Sequence, residues 1–407
     1  MRHAVFVVPF VFETSLRFFA GALKLPDTMV SLISQDPLAR FPQDLLGSVF
    51  AHEQVGDGLD GRQLAEGVRA IERKSGHKVD CLIGVLEQLQ DALADARQLL
   101  DLPGLRPDGA RLFRDKAAMK DRLRSAGLPC ALSALAHDAD ELDRVVAEIG
   151  LPVVIKPPAG AGAVDTFRVD SFDQLRDVAR ASRPHKSRPV LVEEFVQGSE
   201  HSFDAVVIGG RTIWHSVSDY APSPLTVIEN KWIQWTVMLP REIDGPEYAA
   251  IKQAGPDALR VLGLHTGLAH MEWFRRRDGS VAISEVGARP PGAQFTTLLS
   301  VAHDVDMYRA WSELVIHGRF DPPARRYACG AAYLRGQGEG KVTAIHGLDR
   351  AQQELGDLVF DVRLPEHGQN RSSSYEGEGW VILRHPDTEV VRAGLQRLVA
   401  LVQVELG

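Results

Sequence analysis

The stretch TGLAHMEWFRRRDGSVAISEVGARPPG, residues 266–292, is the most informative part of the chain about its fold. Two strand-like runs flank Asp278-Gly279, a dipeptide that favours a two-residue type I′ hairpin turn. If these two residues are the loop, Glu272 lies directly opposite Glu285. Side-chain alternation then predicts which residues share one face of the hairpin: His270, Glu272, Phe274, Ile283 and Glu285.

The facing carboxylates of Glu272 and Glu285 call for a positive charge nearby. At a separation of about 5 Å and an effective dielectric of 20 they repel by about 3 kcal/mol, and like charges opposite each other in a sheet are destabilising. Mg²⁺ is the natural candidate, because it binds one or two carboxylates together with substrate phosphates. Arg289 is placed to contact a carboxylate or phosphate at the same edge. A slipped register, with both glutamates solvated, is the alternative.

Four further segments carry residue types that suit a nucleotide. Lys156 precedes the Gly-Ala loop 159–163, where small residues let backbone N–H groups approach phosphate oxygens, and Lys116 begins a predicted helix. The main chain of 193–196 is placed to pair with an adenine edge, and Glu200 to accept from ribose hydroxyls. Each also fits a plain structural role, as a turn, surface lysine, strand end or exposed glutamate. The candidate nucleotide-binding residues are Lys116, Lys156, Gly160, Gly162, Glu193, Glu194, Phe195, Val196 and Glu200.

Composition excludes several classes of function. The 407 residues are 44% hydrophobic and 25% charged, which predicts two or three globular units. Lys+Arg 46 against Asp+Glu 54 gives a net charge of −8 without a basic block, which argues against nucleic acid. Cys81, Cys130 and Cys329 show no paired spacing and favour a reducing, cytoplasmic setting. No segment approaches the roughly 20 apolar residues that cross a bilayer, and the apolar start is interpreted as a strand.

Apolar periodicity predicts an α/β chain in three parts. Short apolar strands at 5–8 and 79–84, with helices between and after them, predict an N-terminal open parallel sheet. The segment 220–240, rich in Pro and Trp, is interpreted as a long loop or irregular hairpin and a candidate lid. An amphipathic helix over 388–404 closes the chain. We expect an α/β domain over 1–112, a two-lobed core over 113–302 with a mobile lobe near 127–195, and an α+β domain over 303–407.

In chain order these motifs resemble the ATP-grasp superfamily. The resemblance rests on segments between residues 115 and 292, and covers roughly 79–300 with the flanks more loosely. The segments that carry the resemblance are Asp115-Lys116 at the start of a helix that ends Ala-Gly-Leu-Pro at 126–129, Pro-Val-Val-Ile-Lys-Pro at 152–157, Val-Glu-Glu-Phe-Val at 192–196, Gly-Ser-Glu-His-Ser at 198–202, His-Met-Glu at 270–272, and Glu-Val-Gly-Ala-Arg-Pro-Pro-Gly at 285–292.

The resemblance implies an ATP-binding core of two lobes, with ATP and Mg²⁺ (or Mn²⁺) as cofactors. It assigns the phosphates to the two lysines, adenine to the segment after the apolar strand, and the metal ion to the facing glutamates. The implied roles are Lys116 and Lys156 at the ATP phosphates, Glu193 to Val196 at adenine, Glu200 at the ribose, Glu272 and Glu285 at Mg²⁺, and Arg289 at an acyl phosphate or substrate carboxylate.

Within the superfamily the chain is most similar to carboxylate–amine ligases of the L-amino-acid ligase type. Val-Asp-Cys-Leu-Ile-Gly-Val-Leu-Glu at 79–87 and His270, two residues before Glu272, favour this branch. The branch implies that a carboxylic acid, an amino acid in the first instance, is joined to an amine through an acyl phosphate. His270 is a candidate base for the amine, with a structural histidine as the alternative. Gly287 occupies the position where many members of the superfamily have a metal-ligating Asn, so the resemblance does not decide whether a second Mg²⁺ binds.

Two other functions stay open at this level. A biotin-carboxylase-like subunit would use bicarbonate as its acid, although the glycine loop has fewer glycines than in that enzyme. An ATP-binding module without turnover would have kept the fold and lost catalytic activity, and the intact set of charged residues argues against this alternative. The expected partners are a small-molecule acid and amine, with neither nucleic acid nor membrane, and the sequence is compatible with a homodimer.

Overall fold

A computed structural model describes residues 1–160 and 165–407 of the chain. The described residues form four β-sheets with helices between and around them. The predicted α/β fold class, with its N-terminal parallel sheet, is confirmed. None of the helices in these two ranges is long and apolar enough to span a lipid bilayer.

The first sheet is parallel throughout and forms the N-terminal layer. Its elements are β1 (Arg2–Val8), α1 (Glu13–Leu23), β2 (Thr28–Ser34), α2 (Gln43–Leu46), β3 (His52–Gln54), α3 (Gly61–Ser75), β4 (Cys81–Ile83), α4 (Gln90–Leu100) and α5 (Pro107–Arg111). The strand order is β3-β2-β1-β4, and β1 is apolar on both faces because helices cover both. The order reverses direction between β1 and β4, and ligands of open α/β sheets bind at the carboxyl ends of strands at such a point.

The second sheet, antiparallel in order β5-β8-β6-β7, forms a separate small lobe. The elements are α6 (Lys116–Ser125), β5 (Ser133–Ala136), α7 (Ala139–Ile149), β6 (Val153–Lys156), β7 (Phe167–Val169), α8 (Phe172–Ser182) and β8 (Val190–Glu194). Leu142, Val145 and Val146 of α7 pack on the apolar side of this sheet, which gives the lobe a core of its own. β6 ends at Lys156 and β8 ends at Glu194, and both of these residues belong to the predicted nucleotide-binding set.

The remaining elements build one large sheet and one small one. They are β9 (Gly198–Ile208), β10 (Arg211–Ala221), α9 (Pro224–Glu229), β11 (Trp235–Leu239), α10 (Ala249–Leu262), β12 (Gly267–Arg276), β13 (Val281–Gly287), α11 (Phe295–His303), α12 (Met307–His317), β14 (Ala328–Leu334), β15 (Gly336–Gly338), β16 (Val342–His346), α13 (Leu348–Leu355), β17 (Val359–Arg363), β18 (Gly379–His385), α14 (Thr388–Leu401) and β19 (Gln403–Leu406). The predicted terminal helix is α14, and its expected last residues form β19 instead.

The large antiparallel sheet runs in the order β13-β12-β9-β10-β11-β14-β18-β17. Because β11 pairs with β14, the sheet is continuous across residue 302, where the sequence predicts a domain boundary. The segment 220–240 is an irregular hairpin, with β10 and β11 paired antiparallel around α9. The alternative of a long loop without secondary structure is wrong.

The β12–β13 hairpin pairs Glu272 with Glu285, as predicted, but through a different turn. The Arg276 N–H donates to the Ser280 carbonyl at 2.8 Å, and the Gly279 N–H donates to the Arg276 carbonyl at 2.9 Å. The loop therefore has three residues rather than two. Gly279 occupies its left-handed position at φ +83°, which a side chain would strain.

A β-bulge at Ser284 restores the predicted pairing further from the turn. Next to the loop Trp273 faces Ile283, and beyond the extra residue Glu272 faces Glu285. The bulge moves Ile283 to the opposite side of the sheet, where it packs with Trp273 in the core beneath α10. The prediction that Ile283 shares the face of the glutamates is therefore wrong.

Candidate functional site

A cavity of about 490 Å³ lies where the N-terminal sheet, the small lobe and the large sheet meet. Twelve of the thirteen predicted site residues line it. They are Lys116, Lys156, Gly160, Glu193, Glu194, Phe195, Val196, Glu200, His270, Glu272, Glu285 and Arg289. The thirteenth, Gly162, lies outside the described residues.

Lys116 is directed into the cavity by the start of α6. Asp115 caps this helix by accepting hydrogen bonds from the Ala117 and Ala118 N–H groups. The cap fixes the first turn of the helix, and Lys116, its first residue, points toward the small lobe. Lys116 Nζ donates to the Gly160 carbonyl at 2.9 Å and lies 3.0 Å from Glu285 Oε1. One of the positive charges that the facing glutamates require therefore comes from the chain itself.

Lys156 shares a buried carboxylate with a lysine that the sequence interpretation missed. Lys156 Nζ lies 2.9 Å from one oxygen of Glu193, and Lys120 Nζ lies 3.1 Å from the other. Burial alone raises the pKa of Glu193, but the two ammonium groups outweigh it and lower that pKa to about 2. Lys120 follows Lys116 by four residues on one helical face, and that spacing was the available signal.

The predicted adenine hinge has most of its backbone donors already engaged. The Glu194 N–H donates to the Leu132 carbonyl at 2.9 Å, and the Phe195 N–H donates to the Pro152 carbonyl at 3.0 Å. Within the described ranges the Val196 N–H has no backbone partner. If this segment meets a nucleobase, Val196 is therefore the donor it presents.

Glu200 and Glu272 form the acidic side of the cavity together with Glu285. Glu200 is only 8% exposed; burial, and then the charge of Glu272, raise its pKa well above the ordinary value. Burial also acts to raise the pKa of Glu272, but the hydrogen bond and charge of His270 outweigh it and lower that pKa. The cavity therefore concentrates carboxylates where cations would be favourable.

The donor set fits a divalent cation that phosphate oxygens help to bind. Glu272 and Glu285 face each other on one side of the hairpin, and two carboxylates are a usual protein contribution to a Mg²⁺ site. Across the described ranges, no group of three or more His, Cys, Asp or Glu is arranged to hold a metal ion unaided. Further ligands would therefore come from a nucleotide and from water.

His270 is held on both sides by carboxylates. Its Nδ1 lies 2.7 Å from Oδ1 of the fully buried Asp204, and its Nε2 lies 3.7 Å from Glu272 Oε1. Burial lowers the pKa of His270, but Asp204 and Glu272 outweigh it and raise that pKa to about 9. The imidazole therefore already carries its proton near neutral pH, which does not suit the predicted role as a base.

Arg289 is fixed by a residue of the N-terminal domain. Its guanidinium pairs with Glu87, which also pairs with Arg114, and it donates to the Pro290 carbonyl at 2.8 Å. Burial acts to lower the pKa of Arg289, and the charge of Glu87 outweighs it and raises that pKa. Glu87 follows β4 at the carboxyl edge of the parallel sheet, and this position was the signal that could have identified it.

Aromatic side chains form the far wall of the cavity. Tyr220, Trp235 and Phe295 are all buried, and the Trp235 Nε1 donates to the Tyr375 carbonyl at 2.7 Å. In the segment 220–240, Trp235 lines the cavity, whereas Trp232 is 56% exposed and does not. The loop between β17 and β18 thus brings the C-terminal region to the site.

Comparison with known proteins agrees with this geometry. The ATP-grasp domain family model matches residues 121–302. An uncharacterized protein of Sinorhizobium fredii is 28% identical over 74% of this chain and 62% of its own length. The L-arginine-specific L-amino acid ligase of Bacillus subtilis is 22% identical over 49% of each chain. This chain thus spans less than two thirds of the length of either relative.

A solved structure shows the same fold over the full chain. The L-amino acid ligase from Bacillus licheniformis superposes with a TM-score of 0.77 at 19% identity, covering 100% of this chain and 99% of that one. At this identity the likeness concerns the fold. Residues 121–302 therefore match an ATP-grasp domain, and the relatives and the fold agree with that match.

Proposed function

We propose that the protein is an ATP-dependent ligase that joins a carboxylic acid, in the first instance an amino acid, to an amine through an acyl phosphate. One observation carries the proposal: Lys116, Lys156, Glu272, Glu285 and Arg289 all line a single cavity. Phosphoryl transfer requires positioning and positive charge more than covalent help. These residues supply both, next to carboxylates that suit a divalent cation.

The first step transfers the γ-phosphoryl group of ATP to the acid. Lys116 and Lys156 orient the phosphates and offset their charge, and Glu272 and Glu285 would hold Mg²⁺. When bound, the ion neutralises charge on the transferred group. The carboxylate oxygen attacks phosphorus, ADP leaves, and the acid becomes an acyl phosphate whose phosphate can be displaced.

The second step forms the amide. Arg289, anchored by Glu87, faces the cavity where the acyl phosphate would form. The amine nitrogen attacks the acyl carbon, the bond from carbon to the phosphate oxygen breaks, and inorganic phosphate leaves. Overall, one carboxylate, one ammonium and ATP give the amide, ADP, phosphate and one proton.

Release of ADP and phosphate tests the proposal. The purified protein is incubated with Mg-ATP and pooled amino acids, and the products are identified by mass. We expect ADP release that requires both an acid and an amine, with a product mass equal to their sum less one water. Glu285→Gln is the matched inactive variant, and it should release no ADP above background.

Two results would contradict the proposal. ADP release that depends on bicarbonate, with no amide product, would support the carboxylase alternative. Nucleotide binding without ADP formation for every acid and amine tried would support a module without turnover.

A further inference from the structure

The loop between β17 and β18 places a carboxylate in the cavity that none of the sequence motifs includes. Glu376 lines the cavity beside Tyr375. Burial raises the pKa of Glu376, although hydrogen bonds from the Gln294 side chain and the Ala293 backbone act to lower it. Unlike Glu193, which has two lysines, Glu376 forms no ion pair with any residue in the described ranges.

The groups that hydrogen-bond to the Glu376 carboxylate are neutral, and the cation that acts on its charge, Arg363, is paired with Glu13 at 2.9 Å. The Gln294 Oε1 accepts hydrogen bonds from Thr297 Oγ1 at 3.0 Å and from an Arg17 nitrogen at 3.3 Å. The amide nitrogen of Gln294 is therefore left to donate to Glu376. A partly buried carboxylate that faces a cavity and has no ion-pair partner of its own in the described ranges favours a cationic ligand.

The proposed reaction supplies such a ligand and leaves one proton without an acceptor. An amine enters at neutral pH as an ammonium ion and must lose a proton before its nitrogen can attack. Both ring nitrogens of His270 already face carboxylates, Asp204 at 2.7 Å and Glu272 at 3.7 Å. Glu87 is occupied by Arg289 and Arg114.

We propose that Glu376 binds the amine substrate as its ammonium ion and accepts the proton that this ion must lose before attack. The inference rests on the proposed ligase function and deepens it, since it identifies the second substrate as a primary ammonium compound and assigns its subsite. The subsite lies between Glu376, Tyr375 and the start of α1, where Phe12 and Thr14 also line the cavity.

The step balances in atoms and charge. One proton passes from the ammonium to the Glu376 carboxylate, and the freed lone pair forms the carbon–nitrogen bond. The bond from the acyl carbon to the phosphate oxygen breaks, and its electron pair leaves with the phosphate. The second proton of the nitrogen goes to that phosphate, and Glu376 returns its proton to solvent at the mouth of the cavity.

The test compares a charged with an uncharged nucleophile in Glu376→Gln. After an active pair is found with the wild-type protein, kcat/KM for the amine should fall at least about 100-fold, as expected for loss of a general base, with KM for ATP within about twofold. Hydroxylamine is uncharged at neutral pH and traps acyl phosphates as hydroxamates. The variant should therefore keep hydroxamate formation within about threefold of wild type.

Controls separate this role from a structural one. Glu366→Gln removes an exposed carboxylate of the same loop, outside the cavity, and should change neither reaction. Gln294→Leu keeps Glu376 but removes its side-chain donor, and should weaken the amine reaction alone. This second variant keeps the inference testable if Glu376→Gln does not fold.

Three outcomes would overturn the inference. Equal loss of amide and hydroxamate in Glu376→Gln would make the residue structural, and unchanged amide formation would deny it any role; both leave the ligase function intact. A wild-type protein that forms neither amide nor hydroxamate from any acid would overturn the inference and the proposed function together.

Discussion

Two buried carboxylates that line the cavity from different sheets have opposite electrostatic surroundings. Glu193, in the small lobe, is 4% exposed and lies between two ammonium groups that lower its pKa to about 2. Glu200, on the large sheet, is 8% exposed; burial and the neighbouring Glu272 raise its pKa. The first site is balanced without a ligand, whereas the second carries an excess of negative charge.

The difference indicates which side contributes to stability and which to binding. A buried charge that is paired contributes to the fold and is costly to break. An excess of like charge lowers the stability of the empty protein and favours the binding of cations. We therefore expect loss of the Glu193 carboxylate to destabilise the protein. Loss of a carboxylate on the large sheet should leave the protein as stable or more stable, and should lower activity where that carboxylate would hold the cation.

The largest expected effect is on catalysis. Glu285→Gln should lower the rate of ADP release roughly ten-thousand-fold, equivalent to about 5 kcal/mol, because one of the two facing carboxylates is lost. The melting temperature of the free protein should change by no more than a few degrees, since Glu285 is partly exposed and, within residues 1–160 and 165–407, pairs with Lys116 alone. Arg277→Gln, at the exposed tip of the same hairpin, is the control for charge removal. A large loss of stability in Glu285→Gln would contradict the comparison, because it would show that this carboxylate, and not only Glu193, stabilises the fold.

The next effect is on stability. Glu193→Gln should destabilise the protein by about 3 kcal/mol in urea unfolding, because Lys120 and Lys156 lose their shared counter-charge. The stability that ionised Glu193 contributes is present above its ordinary pKa of 4.5 and is lost as pH falls toward 2. The difference in unfolding free energy between the wild-type protein and Glu193→Gln should therefore disappear as the pH falls from 4.5 toward 2. Lys120→Met combined with Glu193→Gln should recover part of the loss, and strictly additive losses would argue against coupling.

The smallest expected effect has the opposite sign. Glu200→Gln should stabilise the nucleotide-free protein by about 1 kcal/mol at neutral pH, because it removes a carboxyl group whose ionisation is unfavourable in the fold. The folded pKa of Glu200 lies above its ordinary value of 4.5, so the gain should be absent below pH 4.5 and grow as pH rises. Urea midpoints at several pH values measure it. Destabilisation at neutral pH would mean that Glu200 has a cation partner in solution.

Several parts of the site could be predicted because they depend on local sequence. The Asp278-Gly279 turn signal located the β12–β13 hairpin, and a strand followed by small residues marked Lys156. Each of these signals lies within one element or one hairpin, where the period of the side chains sets the face they share.

Other residues could not be found this way, because their partners are distant in the chain. Asp204 meets His270 from a neighbouring strand, 66 residues away, and Glu376 meets the segment around Gln294 from the C-terminal region. No period relates such positions. They become visible only when separate elements are placed side by side.

The β12–β13 hairpin shows which features follow from the sequence alone and which depend on the tertiary structure. The sequence by itself determined that two strands turn back at Asp278-Gly279. The shared face of Glu272 and Glu285 depends on the bulge as well, because the three-residue loop alone would place Glu285 opposite Met271. The tertiary structure decided the bulge, because β13 is an edge strand and the Ile283 N–H donates to the Pro129 carbonyl of the segment entering the small lobe, at 3.0 Å. The unpaired backbone groups of an edge strand can hydrogen-bond to any segment that packs beside them. The residues that flank the hairpin do not predict which segment that is.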